Sequence, residues 1–189
     1  QCDARRSSAG AGLAVSRALC DTASAMTVLR TSRLSLRRAR ASDLHDLHAV
    51  LSDPRATRHW STGPHRDLET TRAWLDAMIA SSPDESEDFV IELDGSVVGK
   101  AGFYRLPEIG FILRPDLWGR GYAFEAASAV VAHVFATRAI DELVADVDPG
   151  NAASLRLLER LGFVETGRAE RTYCIDGVWA DSIYLALRR

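Results

Sequence analysis

A chain of 189 residues has the size of one domain built on a single hydrophobic core. Its 47% apolar and 26% charged residues and its formal net charge of −3 exclude the disordered and collagen-like classes and a broad nucleic-acid-binding face. No stretch supplies the eighteen or so consecutive apolar residues of a membrane-spanning helix, so neither nucleic acid nor membrane is expected as a partner.

Residues 1–25 are rich in Ala, Ser, Gly and Arg, lack an amphipathic period and end just before Met26. They read as a leader outside the folded core, upstream of a start at Met26, or as a targeting peptide around Arg5, Arg6 and Arg17. The weak apolar run over 9–15 favours the first reading and leaves 26–189 as the domain.

From Arg33, the alternation of Leu34 and Leu36 with charged neighbours predicts a half-buried strand. Ser42 stands as the N-cap of a helix carrying Leu44, Leu47, Val50 and Leu51, which stops by Pro54. A loop with His59, Trp60, Gly63 and Pro64 leads to a second helix near Asp67, with Trp74, Leu75, Met78 and Ile79 on one face. Three antiparallel strands follow over 89–93, 97–104 and 108–113, the first two joined by the hairpin signal Asp94-Gly95.

After Pro115 the period becomes helical over 122–138, with Ala127, Val130, Val131, Val134 and Phe135 inward. A strand at 143–147 and a helix at 151–161 come next. Two last strands begin at Phe163 and turn at Asp176-Gly177, with Ile183, Leu185 and Leu187 alternating inward. This order predicts the α/β class, in its mixed α+β form: one twisted, mostly antiparallel sheet flanked by helices.

His45 and His48 share a helical face with no further ligand nearby, so no metal site is expected. Asp146 and Asp148 share one face of the strand at 143–147. The cysteines Cys2, Cys20 and Cys174 are odd in number, lack metal-ligand spacing and fit a reducing cytoplasm.

The stretch from Arg114 to Ala127 places Gly119 and Gly121 between a strand and a helix, where backbone N–H groups and a helix N-terminus can hold a phosphate. Phe124 replaces the third glycine of a dinucleotide fingerprint, and the Gly-Lys-Ser/Thr of a P-loop is absent. The segment Trp118-Gly-Arg-Gly-Tyr-Ala123 instead resembles the acetyl-CoA pyrophosphate loop of the GNAT superfamily of N-acetyltransferases. Trp118 takes the first place of that motif, usually Gln or Arg, with Gly121 fourth and Ala123 sixth. Thirty residues on, Asn151 to Phe163 looks like the family's second cofactor motif. The opening strand with two helices and the closing hairpin around Asp-Gly-Val-Trp-Ala-Asp181 are most similar to the ribosomal-protein N-terminal acetyltransferases.

The resemblance implies a GNAT-type sheet, acetyl-CoA as cosubstrate, no metal, and direct transfer of the acetyl group to a primary amine. A protein N-terminus and a small amine, such as an amino acid, polyamine or antibiotic, are both open acceptors. A silent acyl-CoA sensor is a third reading, and a homodimer is compatible with the subgroup. The implied cofactor contacts are Trp118, Gly119, Arg120, Gly121, Tyr122 and Ala123 in the loop, and Asn151 and Ser154 in the second motif. The backbones of Phe111, Ile112 and Leu113 would line an opening that takes the pantetheine arm. Arg120 reads equally as a solvated arginine, and Asn151 and Ser154 equally as the start of a helix.

For chemistry, the resemblance points to the Leu113 N–H as oxyanion donor. Many relatives protonate the thiolate with a Tyr where this chain has Leu158, so Ser154 is the candidate acid. Glu108, opening the strand that leads to the cofactor, is a candidate base or a surface carboxylate. His59, Trp60 and Tyr104 are candidate acceptor-site residues, with aromatic packing the alternative for Trp60 and Tyr104.

Overall fold

The computed structural model describes residues 27–175 and 177–189, so the leader expected over 1–25 and Asp176 of the last turn lie outside the described residues. The chain opens with two short strands where the alternation predicted one. These are β1 (Val28–Arg30) and β2 (Ser35–Arg37), joined by a turn in which the Thr31 N–H donates to the Leu34 carbonyl at 3.0 Å. Three-residue strands are too short to show a period of two. A 3₁₀ turn at Ala41–Asp43 precedes α1 (Leu44–Leu51). Asp43, rather than Ser42, fixes this start: it is buried, accepts the Arg40 N–H at 2.8 Å and receives a bidentate Arg37 guanidinium at 2.8 and 2.9 Å.

Helix α2 (Leu68–Ile79) is capped by Asp67, which accepts the Thr70 N–H at 2.7 Å. Its buried side chains are Thr71, Leu75 and Met78, and Ile79 is 44% exposed, contrary to the inward position expected for it. Thr71 takes that place because His48 and His65 hydrogen-bond its hydroxyl, at 2.7 and 3.0 Å, and so satisfy a polar group inside the helix pair.

Strands β3 (Glu87–Leu93), β4 (Ser96–Arg105) and β5 (Glu108–Leu113) form an antiparallel meander, with Asp94 and Gly95 both at positive φ in the first turn. Helix α3 (Tyr122–Thr137), β6 (Glu142–Val147), α4 (Ala152–Arg160), β7 (Val164–Ile175) and β8 (Val178–Arg188) complete the chain. The strand order is β1-β2-β3-β4-β5-β6-β8-β7, antiparallel throughout except for β5 beside β6. Cys174 on β7 is disulfide-bonded, a departure from the reducing setting inferred from the cysteine count; an odd number of cysteines still permits a pair.

Period-two alternation divides the sheet between two cores. Phe89, Ile91, Val98, Ala101 and Phe103 face α3, whose Ala126, Ala127, Val130 and Val134 pack on them, while Leu158 of α4 joins the same core. Val90, Val97 and Ile112 point the other way, beneath Leu47, Val50 and Leu51 of α1 and Leu75 and Met78 of α2. Gly99 on β4 has no room for a side chain, since a Cβ there would stand 2.2 Å from the Ile112 carbonyl oxygen of β5.

Lys100, the chain's single lysine, is buried on β4 and meets Asp88 of β3 at 2.7 Å. The second oxygen of Asp88 has no hydrogen-bond partner, so this pair leans on its one charge contact. Lys100→Met, which strands the Asp88 charge, is expected to cost about 3–5 kcal/mol in urea unfolding, and adding Asp88→Leu should recover most of it. A double variant no more stable than the single one would contradict that account.

Candidate active site

The site begins where β5 changes partners. Along one edge β5 pairs with β4 from Gly110 to Leu113, and the Arg114 N–H continues the ladder to Val98 at 2.9 Å. Along the other edge it pairs with β6 only at Glu108 with Val144, supported by the Val144 N–H donating to the Pro107 carbonyl at 3.0 Å. Antiparallel residues alternate in the direction of their amides, and Arg114 faces β4. Phe111 and Leu113 therefore turn their N–H groups away from β4, into the gap. Trp118 closes its far end, its indole N–H donating to the Leu113 carbonyl at 2.8 Å. That bond is what Trp118 does in place of the Gln or Arg of the motif.

Beyond β5, Gly119 and Gly121 both take positive φ, 73° and 81°, and Gly121 is the N-cap of α3. An L-residue with a Cβ is strained in this conformation, so glycine is what allows the chain to swing from strand to helix here. The first intrahelical bond is the Glu125 N–H to the Gly121 carbonyl, at 3.0 Å, and the amides preceding it are left for an external acceptor. Gly119, Gly121, Tyr122, Ala123 and Phe124 line a cavity of about 850 Å³, with Phe111, Ile112 and Leu113 on another side.

A carboxylate buttresses this loop. Glu125 accepts from the Thr31 hydroxyl at 2.6 Å, the Ser32 hydroxyl at 3.0 Å, the Arg33 N–H at 2.9 Å and the Arg33 guanidinium at 2.7 Å. Arg33 also donates to the Arg120 carbonyl at 3.0 Å and lies 4.3 Å from the Tyr122 ring centroid. Burial pushes the Glu125 pKa up, but the donors from Thr31, Arg33 and Ser32 outweigh it and bring the value down to about 2.

A second cavity, of about 590 Å³, lies along the earlier part of β5, from Glu108 to Phe111, and Tyr104, Asp146 and Asp148 are also in its wall. The two cavities share His59, Trp60, Phe111, Asn151 and Ser154. Asn151 caps α4 through its side-chain oxygen, which accepts the Ser154 N–H at 3.2 Å, so capping and a cavity position coexist in one residue. Burial pushes the Glu108 carboxyl above its ordinary pKa, and the Asp146 charge adds to the effect. Among the described residues no group of three or more His, Cys, Asp or Glu side chains gathers as a metal site.

Of the residues singled out in the sequence, Phe111, Ile112 and Leu113 of β5 meet those of the loop and the second motif at the first cavity, and His59, Trp60, Tyr104 and Glu108 meet at the second. Arg120 is the exception: it is exposed, its side chain is absent from the cavity walls, and its carbonyl is held by Arg33. The cations that do line the first cavity are Arg55, Arg58, Arg156 and Arg160, which sequence reading missed because they lie in a loop and a helix that only folding brings together.

Residues 33–164 match the acetyltransferase (GNAT) domain family. The chain belongs to this family, and its enzymatic class is N-acetyltransferase. The uncharacterized N-acetyltransferase p20 of Bacillus licheniformis is 30% identical over 152 residues, covering 75% of this chain and 85% of that protein. The ribosomal protein uS5-alanine N-acetyltransferase of Escherichia coli (strain K12) is 33% identical over 105 residues, 56% of this chain and 53% of that one. The ribosomal L7/L12 α-N-protein acetyltransferase RimL, solved in complex with coenzyme A, shares the fold at a TM-score of 0.76 and 20% identity, over 86% of this chain and 98% of that one. These likenesses agree with the family that the two motifs resemble.

A carboxylate whose folded pKa lies below its unfolded value stabilises the fold above the unfolded value, and that contribution fades as pH falls through the folded one. Glu125→Gln is therefore expected to lower Tm at pH 7. The difference from the parent chain should close as pH falls from about 4.5 towards about 2. Thermal unfolding across that range measures it, and a pH-independent difference would mean that the carboxylate's charge is not what matters.

Proposed function

We propose that this chain moves the acetyl group of acetyl-CoA directly onto a primary amine, with a protein's amino terminus as the leading acceptor. The observation that carries this reading is the shared wall of the two cavities. A long anionic cosubstrate and an amine can enter by separate cavities and meet at Trp60, Phe111, Asn151 and Ser154.

The residues fit acetyl-CoA: the amides at the start of α3 answer a pyrophosphate, the arginines of the first cavity answer further phosphate charge, and the outward N–H groups of Phe111 and Leu113 offer strand-like pairing to an amide-bearing arm. When bound, it supplies a thioester carbonyl open to attack. Leu113 offers its N–H to the oxygen that becomes negative on attack, and Ser154 offers a hydroxyl proton to the departing sulfur. Asn151 holds the first turn of α4, and with it Ser154, in place. Glu108, in the acceptor cavity, receives the charge of an incoming amine. An α-amino group, with a pKa of about 7.7–8.0 against about 10.4 for lysine, is neutral often enough near pH 7 to be the easier acceptor.

The carboxylates of Glu108, Asp146 and Asp148 in one cavity also favour a second reading, a small amine that carries additional positive charge, such as a polyamine. Calorimetry with acetyl-CoA is expected to give saturable binding, and Gly121→Val to weaken it at least about tenfold through strain in the loop. Thiol release is then compared between peptides with a free amino-terminal alanine or serine and a panel of polyamines, amino acids and aminoglycosides. Turnover confined to the small amines would sink the amino-terminal reading, and binding without turnover of any acceptor would make the chain a sensor. Ser154→Ala should lower kcat about 10²-fold at saturating acetyl-CoA. A change in acetyl-CoA affinity alone would make Ser154 a binding residue.

A further inference from the structure

Five residues stand in both cavities, and among them His59 is the one whose ordinary pKa lies near neutrality. It is also the one held by a carboxylate. His59 Nδ1 lies 2.8 Å from Asp148 Oδ2, with the two side chains 22% and 24% exposed. The other oxygen of Asp148 accepts the Gly150 N–H at 2.7 Å. Gly150 also presses on the pair from the side: a Cβ there would stand 3.1 Å from Asp148 Oδ1 and 3.3 Å from His59 Cε1. The carboxylate is thus fixed at both oxygens and the ring is backed by main chain.

We propose that His59, oriented by Asp148, is the base that takes the proton of the acceptor amine during acetyl transfer. This rests on the acetyltransferase reading above. With its proton on Nδ1 and donated to Asp148, the neutral imidazole keeps a lone pair on Nε2. Asp148 is suited to stabilise the imidazolium that forms. Burial pushes its carboxyl up, but the His59 hydrogen bond, the Gly150 amide and the charges of His59 and Arg58 outweigh it and hold its pKa below the ordinary range. Glu108, by contrast, lines only the acceptor cavity and not the first one.

The other charged groups around His59 are divided between the cavities. On the cofactor side stand Arg55, Arg58, Arg156 and Arg160. On the acceptor side stand Arg105, Glu108, Asp146 and the titratable Tyr173, while Lys100 is neutralised by Asp88. In the step itself the amine nitrogen bonds to the acetyl carbon and the carbon–sulfur bond breaks, its electron pair leaving with sulfur. The nitrogen's proton goes to His59 Nε2, and sulfur is protonated from the Ser154 hydroxyl. His59 then gives its proton to solvent and Ser154 regains one from it, so only the amine and the thioester are consumed.

Three measurements test this. The first is calorimetry with acetyl-CoA: His59→Gln should bind within about threefold of the parent chain. Absence of binding by the parent would overturn the acetyltransferase reading itself, whereas the variants address only His59. The second is nitrogen NMR of the histidine rings without substrate, in which His59 should carry its neutral-form proton on Nδ1, and Asp148→Asn should weaken that preference. The Nε2–H tautomer in the parent chain, or a tautomer balance indifferent to Asp148→Asn, would overturn the proposal.

The third is kcat against pH, with saturating acetyl-CoA and the most active acceptor of the panel above. His59→Gln should lower kcat roughly 10²–10⁴-fold and abolish the acid limb. Asp148→Asn, a change to a positioning residue, should lower kcat with little change in the acceptor KM, and Glu108→Gln should raise the acceptor KM but keep the limb. An acid limb that survives in His59→Gln and vanishes in Glu108→Gln would assign the base to Glu108 instead. Circular dichroism and Tm matched to the parent chain establish that each variant is folded.

Discussion

The functional geometry depends on one unfinished pairing. Strand β5 is tied to β4 along its edge, yet it keeps β6 only at Glu108 and Val144. Backbone amides turned into such a gap need partners, and a buried N–H without one is costly. Trp118 takes the carbonyl of Leu113, while the outward amides of Phe111 and Leu113 face the cavity. The opening is therefore a sheet edge held inside a domain, protected by neighbours from pairing with another chain and open to a ligand that can act as a strand.

Two other constraints position β5 beside that gap. On one side, α3 must begin where β5 ends, and the glycine at its N-cap makes the swing possible while Glu125 ties the helix start to the β1–β2 turn. On the other side, Gly99 lets β4 approach β5 closely enough that no side chain fits between them. The anion site is thus made of main-chain amides and a few arginines. A chain with a net charge of −3 can hold a polyanionic cosubstrate this way without a basic face, because the charge that matters is local and partly shielded from solvent. The second cavity is its electrostatic opposite, with Glu108, Asp146 and Asp148 in the wall, as would suit the protonated amine of the proposed reaction.

Much of this was legible in the chain itself. The strands from Glu87 to Leu113, α3 and α4 follow from periods of two and 3.6, and Asp94-Gly95 from the positive φ that its turn demands. Errors occurred where local pattern was thin or a tertiary partner overruled it. The split of the first strand into β1 and β2 offered three residues each. Ser42 gave way to Asp43 because Arg37, on a neighbouring strand, needed that carboxylate. Ile79 gave way to Thr71 because two histidines satisfied the hydroxyl inside the helix pair.

The sequence by itself determined the class of sheet and helices and the glycine-bearing turn at the head of α3, because these depend on neighbours within a few residues along the chain. Which side chains face one another was decided by the tertiary structure alone. Arg33 and Glu125 are 92 positions apart, and His59 and Asp148 are 89 apart. No local period reports such a pair, since its partners are adjacent only after the sheet has formed between them. For the same reason Arg120, well placed in the loop motif, proved to face solvent, while the arginines lining the first cavity came from outside that loop.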